Sequence, residues 1–179
     1  MTIRLRTATI DDAAMLSALG ARLFEQTFAP DNTPEDMRAY LAEAFTPAVQ
    51  TAELSEPNRM TLIAEDDSGT AIGYAVLIRG AMVKGVEGER PAELCRIYVD
   101  RSLHGRPVDD AGRGAGAVLI DRCITQARDW QCDVIWLAVW ERNRRAIRFY
   151  EKRGFAKVGR KEFKLGTDLQ HDFVMARNL

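Results

Sequence analysis

An α/β (α+β) fold in a single domain spanning 1–179 is predicted by three observations. Apolar residues recur at helical spacing before residue 55 and alternate with period two after residue 60. The strands Ala92–Asp100 and Val134–Trp140 are separated by one helical stretch, which requires at least one parallel pair. Composition is ordinary, 46% hydrophobic and 28% charged over 179 residues, enough for one core and unlike a disordered or fibrous chain.

The elements follow in order. Ile3–Thr9 alternates like a half-buried strand, and Asp11 to Phe28 carries Met15, Leu16, Leu19, Leu23 and Phe24 at helical spacing. Thr33-Pro34-Glu35-Asp36 starts a helix: Thr33 caps, Pro34 suits the first turn, and the acids meet the positive helix end. Met37, Tyr40, Leu41 and Phe45 mark its apolar positions, and a short helix is expected over Pro47–Leu54. Met60–Glu65 and Ala71–Ile78 read as strands joined by the turn Asp66-Asp67-Ser68-Gly69. A polar loop covers Met82–Pro91. Beyond strand 92–100, Gly116–Trp130 is helical, 134–140 a strand, Asn143–Arg153 a helix, and Ala156–Lys164 and Asp172–Ala176 strands. No repeat, low-complexity tract or linker divides the chain.

A net charge of −1 gives no support for a nucleic-acid partner. Arg142, Arg144, Arg145 and Arg148 form a local basic cluster, by itself a solvated helix face. Cys95, Cys123 and Cys132 have no CxxC spacing, and His104 and His171 no metal-ligand spacing, so neither a disulfide framework nor a metal site is expected. The N-terminus has no apolar leader core and no segment approaches membrane-spanning length, so a cytoplasmic location is expected, with no membrane partner.

Three segments can carry chemistry. The glycine stretch Gly112-Arg113-Gly114-Ala115-Gly116 precedes an apolar helix, where backbone amides and the helix end can cradle a phosphate. It lacks a Walker lysine and the acidic partner of a dinucleotide site. The strand Glu93-Leu94-Cys95-Arg96-Ile97-Tyr98-Val99 places Glu93, Cys95, Ile97 and Val99 on one face by alternation. A carboxylate among those neighbours would have a raised pKa, suited to a general base for an amine, whereas at a wet edge it would be an ordinary glutamate. Asn143 and Tyr150 are two helical turns apart, roughly 10 Å, and would face one groove able to hold an extended ligand. Tyr150 reads either as a core aromatic or as a phenol that protonates a leaving thiolate.

Taken together, the strand ELCRIYV, the loop HGR…GRGAGAVLI and the segment LAVWERNRRAIRFYEKRGF resemble the GCN5-related N-acetyltransferase (GNAT) superfamily over nearly the whole chain. With TPEDMRAYLAEAF they look like its PaiA-type branch, whose members acetylate spermidine and related polyamines. The resemblance implies a mixed, mostly antiparallel sheet of six to seven strands, flanked by helices and splayed between strands 92–100 and 134–140, with acetyl-CoA as co-substrate in the gap and no metal. It implies that Ile97, Tyr98 and Val99 bind the pantetheine arm through backbone groups, and that Asn143 and Ala146 contact the cofactor. Tyr150 matches the family's general acid. Glu93 matches the general base of the histone-modifying branch; many other members use water relays instead.

One departure stands out. The family's phosphate loop runs without interruption, whereas here seven residues, 107–113, separate His104-Gly105-Arg106 from Gly114-Ala115-Gly116. Either they bulge outward and HGR joins GAG, or Gly112-Arg113-Gly114 is the loop core. In either case Asp109 and Asp110 should point away from a diphosphate. The expected reaction is direct acetyl transfer to a primary amine, foremost a polyamine, with a homodimer allowed. The alternatives are a protein N-terminus or lysine as acceptor, or a binding-only sensor of acetyl-CoA. Glu87, Glu89, Asp66 and Asp67 are candidates for an acidic acceptor groove.

Overall fold

The computed structural model describes residues 2–179. Among these residues, seven strands and five α-helices form one sheet between two helical layers. The strands are β1 (Arg4–Thr7), β2 (Arg59–Glu65), β3 (Ala71–Arg79), β4 (Pro91–Val99), β5 (Val134–Trp140), β6 (Ala156–Leu165) and β7 (Asp168–Asn178). The helices are α1 (Ala13–Phe28), α2 (Pro34–Ala44), α3 (Pro47–Leu54), α4 (Ala115–Asp129) and α5 (Arg144–Glu151). Sheet order is β1-β2-β3-β4-β5-β7-β6. Every neighbouring pair is antiparallel except β4 with β5.

Local chemistry sets most boundaries. Thr33 Oγ1 accepts the Asp36 amide at 3.2 Å and Thr46 Oγ1 the Val49 amide at 3.1 Å, each just before a proline in the first helical turn. The apolar face of α4, with Leu119, Ile120, Cys123 and Ala127 wholly buried, packs on one side of the sheet with Ile147 and Tyr150 of α5. Each large apolar side chain so buried contributes about 1.5–3 kcal/mol. On the opposite side, Leu16, Leu19 and Leu23 of α1 pack on Ile63, Tyr74 and Val76, while α2 and the end of α1 meet Leu165 through Met37 and Phe24.

Several expected boundaries shift. β1 is shorter, because Thr9 and Asp12 build a capping box that starts a 3-10 turn before α1. β7 is longer than Asp172–Ala176, since residues 168–171, exposed except for the buried Gln170, pair with β6 across a tight turn at Gly166-Thr167. Helix α5 begins at Arg144 rather than Asn143 and ends at Glu151.

The alternation expected along β4 also fails. The β3–β4 register skips Cys95, a bulge that places two β4 residues opposite one β3 position. The extra residue reverses the pattern, so Ile97 and Val99 join Leu94 on the α4 side, while Cys95 and Tyr98 join the α1 side. On the α1 side Arg96 meets Glu53 of α3 at 2.6 Å.

Candidate active site

The parallel pairing of β4 with β5 covers only Pro91–Val134, Ala92–Ile135 and Glu93–Trp136. Beyond Glu93 the strands part. Leu94 is sealed, but every residue from Cys95 to Asp100 is partly open, although Ile97 and Val99 are apolar. Glu93 therefore lies at the apex of a V-shaped opening. Asp100 N–H bonds the Ile72 carbonyl on β3. Antiparallel alternation then turns the backbone groups of Ile97 and Val99 toward the opening and those of Tyr98 toward β3. Tyr98 meets the site from the other side: its ring packs against Phe24, Phe28 and Tyr74.

On the α4 side, the opening is flanked by two helix starts. Gly114 caps α4, and the Ala117 and Val118 amides turn back to its carbonyl. The Ala115 and Gly116 amides at the helix end have no backbone partner among the described residues. Gly116 lies against Phe149 of α5. Asn143 caps α5, its Oδ1 accepting the Ala146 amide at 3.1 Å, so it stands at the helix mouth rather than in a helical row with Tyr150. The four arginines around α5 are exposed, with Arg142 over the Trp140 ring.

The interrupted loop resolves into a closed excursion. Val108 N–H bonds the Arg113 carbonyl at 2.8 Å, and Gly112 N–H bonds the Asp109 carbonyl at 3.0 Å. The Arg106 carbonyl lies beside Gly114. HGR and GAG thus adjoin in space, the first of the two arrangements open in the sequence. The excursion is not a free bulge, however: Val108 is wholly buried and its carbonyl accepts the Ile3 amide. Asp109 turns onto Arg113, taking its amide at 2.8 Å and its Nε at 2.7 Å, while Asp121 takes Nη1 at 2.9 Å. The amides of Gly112 and Arg113 are thus consumed within the excursion and do not join those of Ala115 and Gly116. Gly105 sits in a left-handed turn with open space around it.

His104 bridges the mouth of the opening. Its Nε2 lies 3.1 Å from the Val99 carbonyl and its Nδ1 2.7 Å from Arg145 Nη1. Since arginine only donates and a carbonyl only accepts, the ring is neutral with the proton on Nε2. Burial and then Arg145 lower its pKa, consistent with that form.

Tyr150 is 8% exposed and packs edge-on against Phe149 and Phe155. Burial holds its phenol well above the usual range, so it keeps its proton at neutral pH. It is part of the core, with its hydroxyl protonated. Glu93 is half-buried; desolvation raises its pKa, opposed by Lys161, Arg59 and Arg96 in that order. The Cys95 thiol is raised by burial and is no thiolate nucleophile. His171 is exposed.

The face of β5, β7 and β6 toward α1 and α2 holds residues the sequence reading did not single out. Trp136, Ala138 and Trp140 alternate on β5, and the small Ala138 between the two indoles is partly exposed. Phe28, Tyr40 and Phe163 edge this face through contacts of 6.2 Å (Phe28–Trp140) and 5.4 Å (Tyr40–Phe163). Asp172 stands opposite Trp140 on one side and Lys161 on the other. A carboxylate on the inner face of a strand, in register with Gln170 and Val174, was the signal available. The acids expected to line an acceptor groove lie elsewhere. Asp66 is bonded into the β2–β3 turn and Asp67 to the Thr2 amide; Glu87 and Glu89 sit exposed in the loop before β4.

The fold that carries this opening is shared with known proteins. Residues 21–155 match the acetyltransferase (GNAT) family. The chain belongs to that family. It is an N-acetyltransferase, as is a relative from Mycobacterium tuberculosis, described as an uncharacterized N-acetyltransferase and 35% identical over 168 residues, 94% of this chain and 98% of that one. A GCN5-related N-acetyltransferase from Rhodopseudomonas palustris is 25% identical and superposes with a TM-score of 0.73, covering 100% of this chain and 97% of its own. The PaiA N-acetyltransferase of Thermoplasma acidophilum, solved with coenzyme A, superposes with a TM-score of 0.76 over 100% of both chains at 21% identity and shows the shared fold. Among the described residues, no helix of this GNAT protein is long and apolar enough to cross a membrane, and no cluster of His, Cys, Asp or Glu suited to a metal is present.

Proposed function

We propose that the chain transfers an acetyl group from acetyl-CoA to a primary amine, foremost a polyamine or other small amine, by direct attack in a ternary complex. The observation that carries this reading is the end of β4–β5 pairing at Glu93, which sets a half-buried carboxylate at the apex of the opening. The residues present fit acetyl-CoA. The outward backbone edge of Ile97 and Val99 suits the amides of a pantetheine arm, and the Ala115 and Gly116 amides suit a diphosphate. Exposed Arg144 and Arg148 supply positive charge on α5, whose Phe149 lies against Gly116. Bound there, acetyl-CoA supplies an activated thioester.

The chain's own groups do the rest. Glu93, directly or through a water, accepts the proton of the acceptor ammonium. An outward backbone N–H near Val99 polarises the acetyl carbonyl. Tyr150, held protonated by burial, donates to the departing sulfur. The aromatic edge of Phe28, Tyr40, Trp140 and Phe163 suits a cationic acceptor with an alkyl body. The test is an amine panel with acetyl-CoA, reading released thiol, with peptide N-termini and lysine peptides as further acceptors. Turnover on small amines is expected. Turnover on peptides alone moves the acceptor to protein, and calorimetric binding without turnover on any acceptor makes the chain a sensor.

A further inference from the structure

We infer that Asp172 is a second-cation subsite, so that the preferred acceptor carries a positive charge several bonds from the nitrogen that is acetylated. This deepens, and rests on, the small-amine reading of the preceding subsection. Asp172 is only 8% exposed, yet its carboxylate forms no hydrogen bond or ion pair among the described residues. An unpaired buried carboxylate is costly, and folds rarely keep one without a use. Its oxygens are also not sealed from solvent, unlike the buried unpaired atoms of Arg59, Tyr74 and Arg153. Register fixes its direction: it shares a sheet face with Trp140, Lys161 and Gln170. That is also the side on which Glu93 meets Lys161 and Arg96.

Glu93 pairs with Trp136 and Asp172 with Trp140, so the two carboxylates are offset by four β5 residues, roughly 13 Å along the strand. Between them lies the small, partly exposed Ala138, flanked along β5 by Trp136 and Trp140. An alkyl chain laid over Ala138 would put one amine at Glu93 and an ammonium between Asp172 and the Trp140 ring, where carboxylate and aromatic face both attract it.

Lys161 supports the assignment. It is the cation that acts most strongly on both carboxylates, yet bonds neither within ion-pair distance, and its Nζ lies 6.0 Å from the Trp136 ring centre. It thus holds a protein ammonium in the region that a substrate ammonium would take. The other charges acting on Asp172 are Glu141, itself 3.7 Å from Arg160, and His171.

The test compares α,ω-diamines, from 1,3-diaminopropane to 1,8-diaminooctane, with their monoamine counterparts in steady-state assays on the full chain. At the best length the wild type should favour the diamine by ~10-fold or more in kcat/KM, the scale of one paired charge. Asp172→Asn should abolish that preference through KM and leave the monoamine within about 2-fold. Lys161→Gln should lower KM for the diamine by a few-fold. A retained diamine preference in Asp172→Asn, equal loss on both amine types, or a raised KM in Lys161→Gln overturns the subsite. If the wild type acetylates no small amine, the acceptor reading fails on its own, and calorimetry with the same diamines decides the subsite. Weaker binding to Asp172→Asn sustains it, and equal binding removes it.

Discussion

Arg145 and His104 join the two walls of the acetyltransferase cleft: Arg145 Nη1 meets His104 Nδ1 at 2.7 Å, and Nε2 of the same ring meets the Val99 carbonyl at 3.1 Å. The start of α5 is thereby tied to the end of β4, across the gap where β4 and β5 have separated. The contact holds only with a neutral ring. The His104 pKa is lowered on folding, so between the folded value and the ordinary 6.5 the unfolded chain binds more protons. The stability it contributes is full above pH 6.5 and is lost as pH falls through the folded value. His104→Ala should remove that part of the pH dependence and cost about 1 kcal/mol from the stranded Val99 carbonyl. Thermal melts from pH 5 to 8 check this, and an unchanged profile removes the bridge.

The two groups assigned to proton transfer separate by pH. Protonating Glu93 at low pH should abolish base function, giving kcat/KM an acidic limb above the ordinary carboxylate range. Glu93→Gln should lose that limb and fall by ~10²–10⁴-fold, the usual worth of general base catalysis. Tyr150→Phe should fall by less, because a thiolate leaves without full protonation. Equal kcat and pH profile to wild type in both variants would falsify the two roles.

Asp172 should trade stability for function. Burial raises its pKa to about 6, above the ordinary 3.8. Between these values the native state holds the extra proton, so stability falls as pH rises through the window and stays lower above it. Asp172→Asn should therefore be more stable at pH 7, on the order of 2 kcal/mol, and little different near pH 3.5. Denaturant melts at both pH values decide it; a variant less stable at pH 7 shows that the carboxylate is structurally paired.

The roof of the acceptor side depends on the β6–β7 turn. Gly166 has a φ of +60°, and a Cβ there would lie 2.6 Å from the Asp36 Cα. Asp36 in turn accepts the Thr167 amide at 2.6 Å. Gly166→Ala should cost about 2–4 kcal/mol, from left-handed strain plus a displaced α2. Gly69→Ala, also left-handed but in open space, should cost about 1 kcal/mol. Equal shifts in melting temperature would place the cost in the backbone alone.

Much of this fold was legible because its signals are local. Pro34 after Thr33, the apolar face of residues 117–127 and the strand 134–140 each specify an element within a few residues. The segment Asn143 to Phe155 likewise announced its helix and family. The β4 faces were not legible, because one bulged residue at Cys95 reverses the alternation and only the pairing with β3 reveals it. Asp172 escaped notice because nothing nearby in sequence marks it: its setting comes from Lys161, Trp140 and Glu141, on other strands or past a strand end.

The phosphate loop divides the two kinds of information most sharply. Sequence determined that seven residues stand between HGR and GAG, and left open whether those two segments or Gly112-Arg113-Gly114 form the loop core. Only the tertiary structure decided that these seven close on themselves, seat Val108 in the core and spend the Gly112 and Arg113 amides on Asp109. Helix and turn preferences are short-range and can be read from neighbours. Which amides remain free, and which carboxylate remains unpaired, depends on partners brought together by folding, and that is where the candidate chemistry lies.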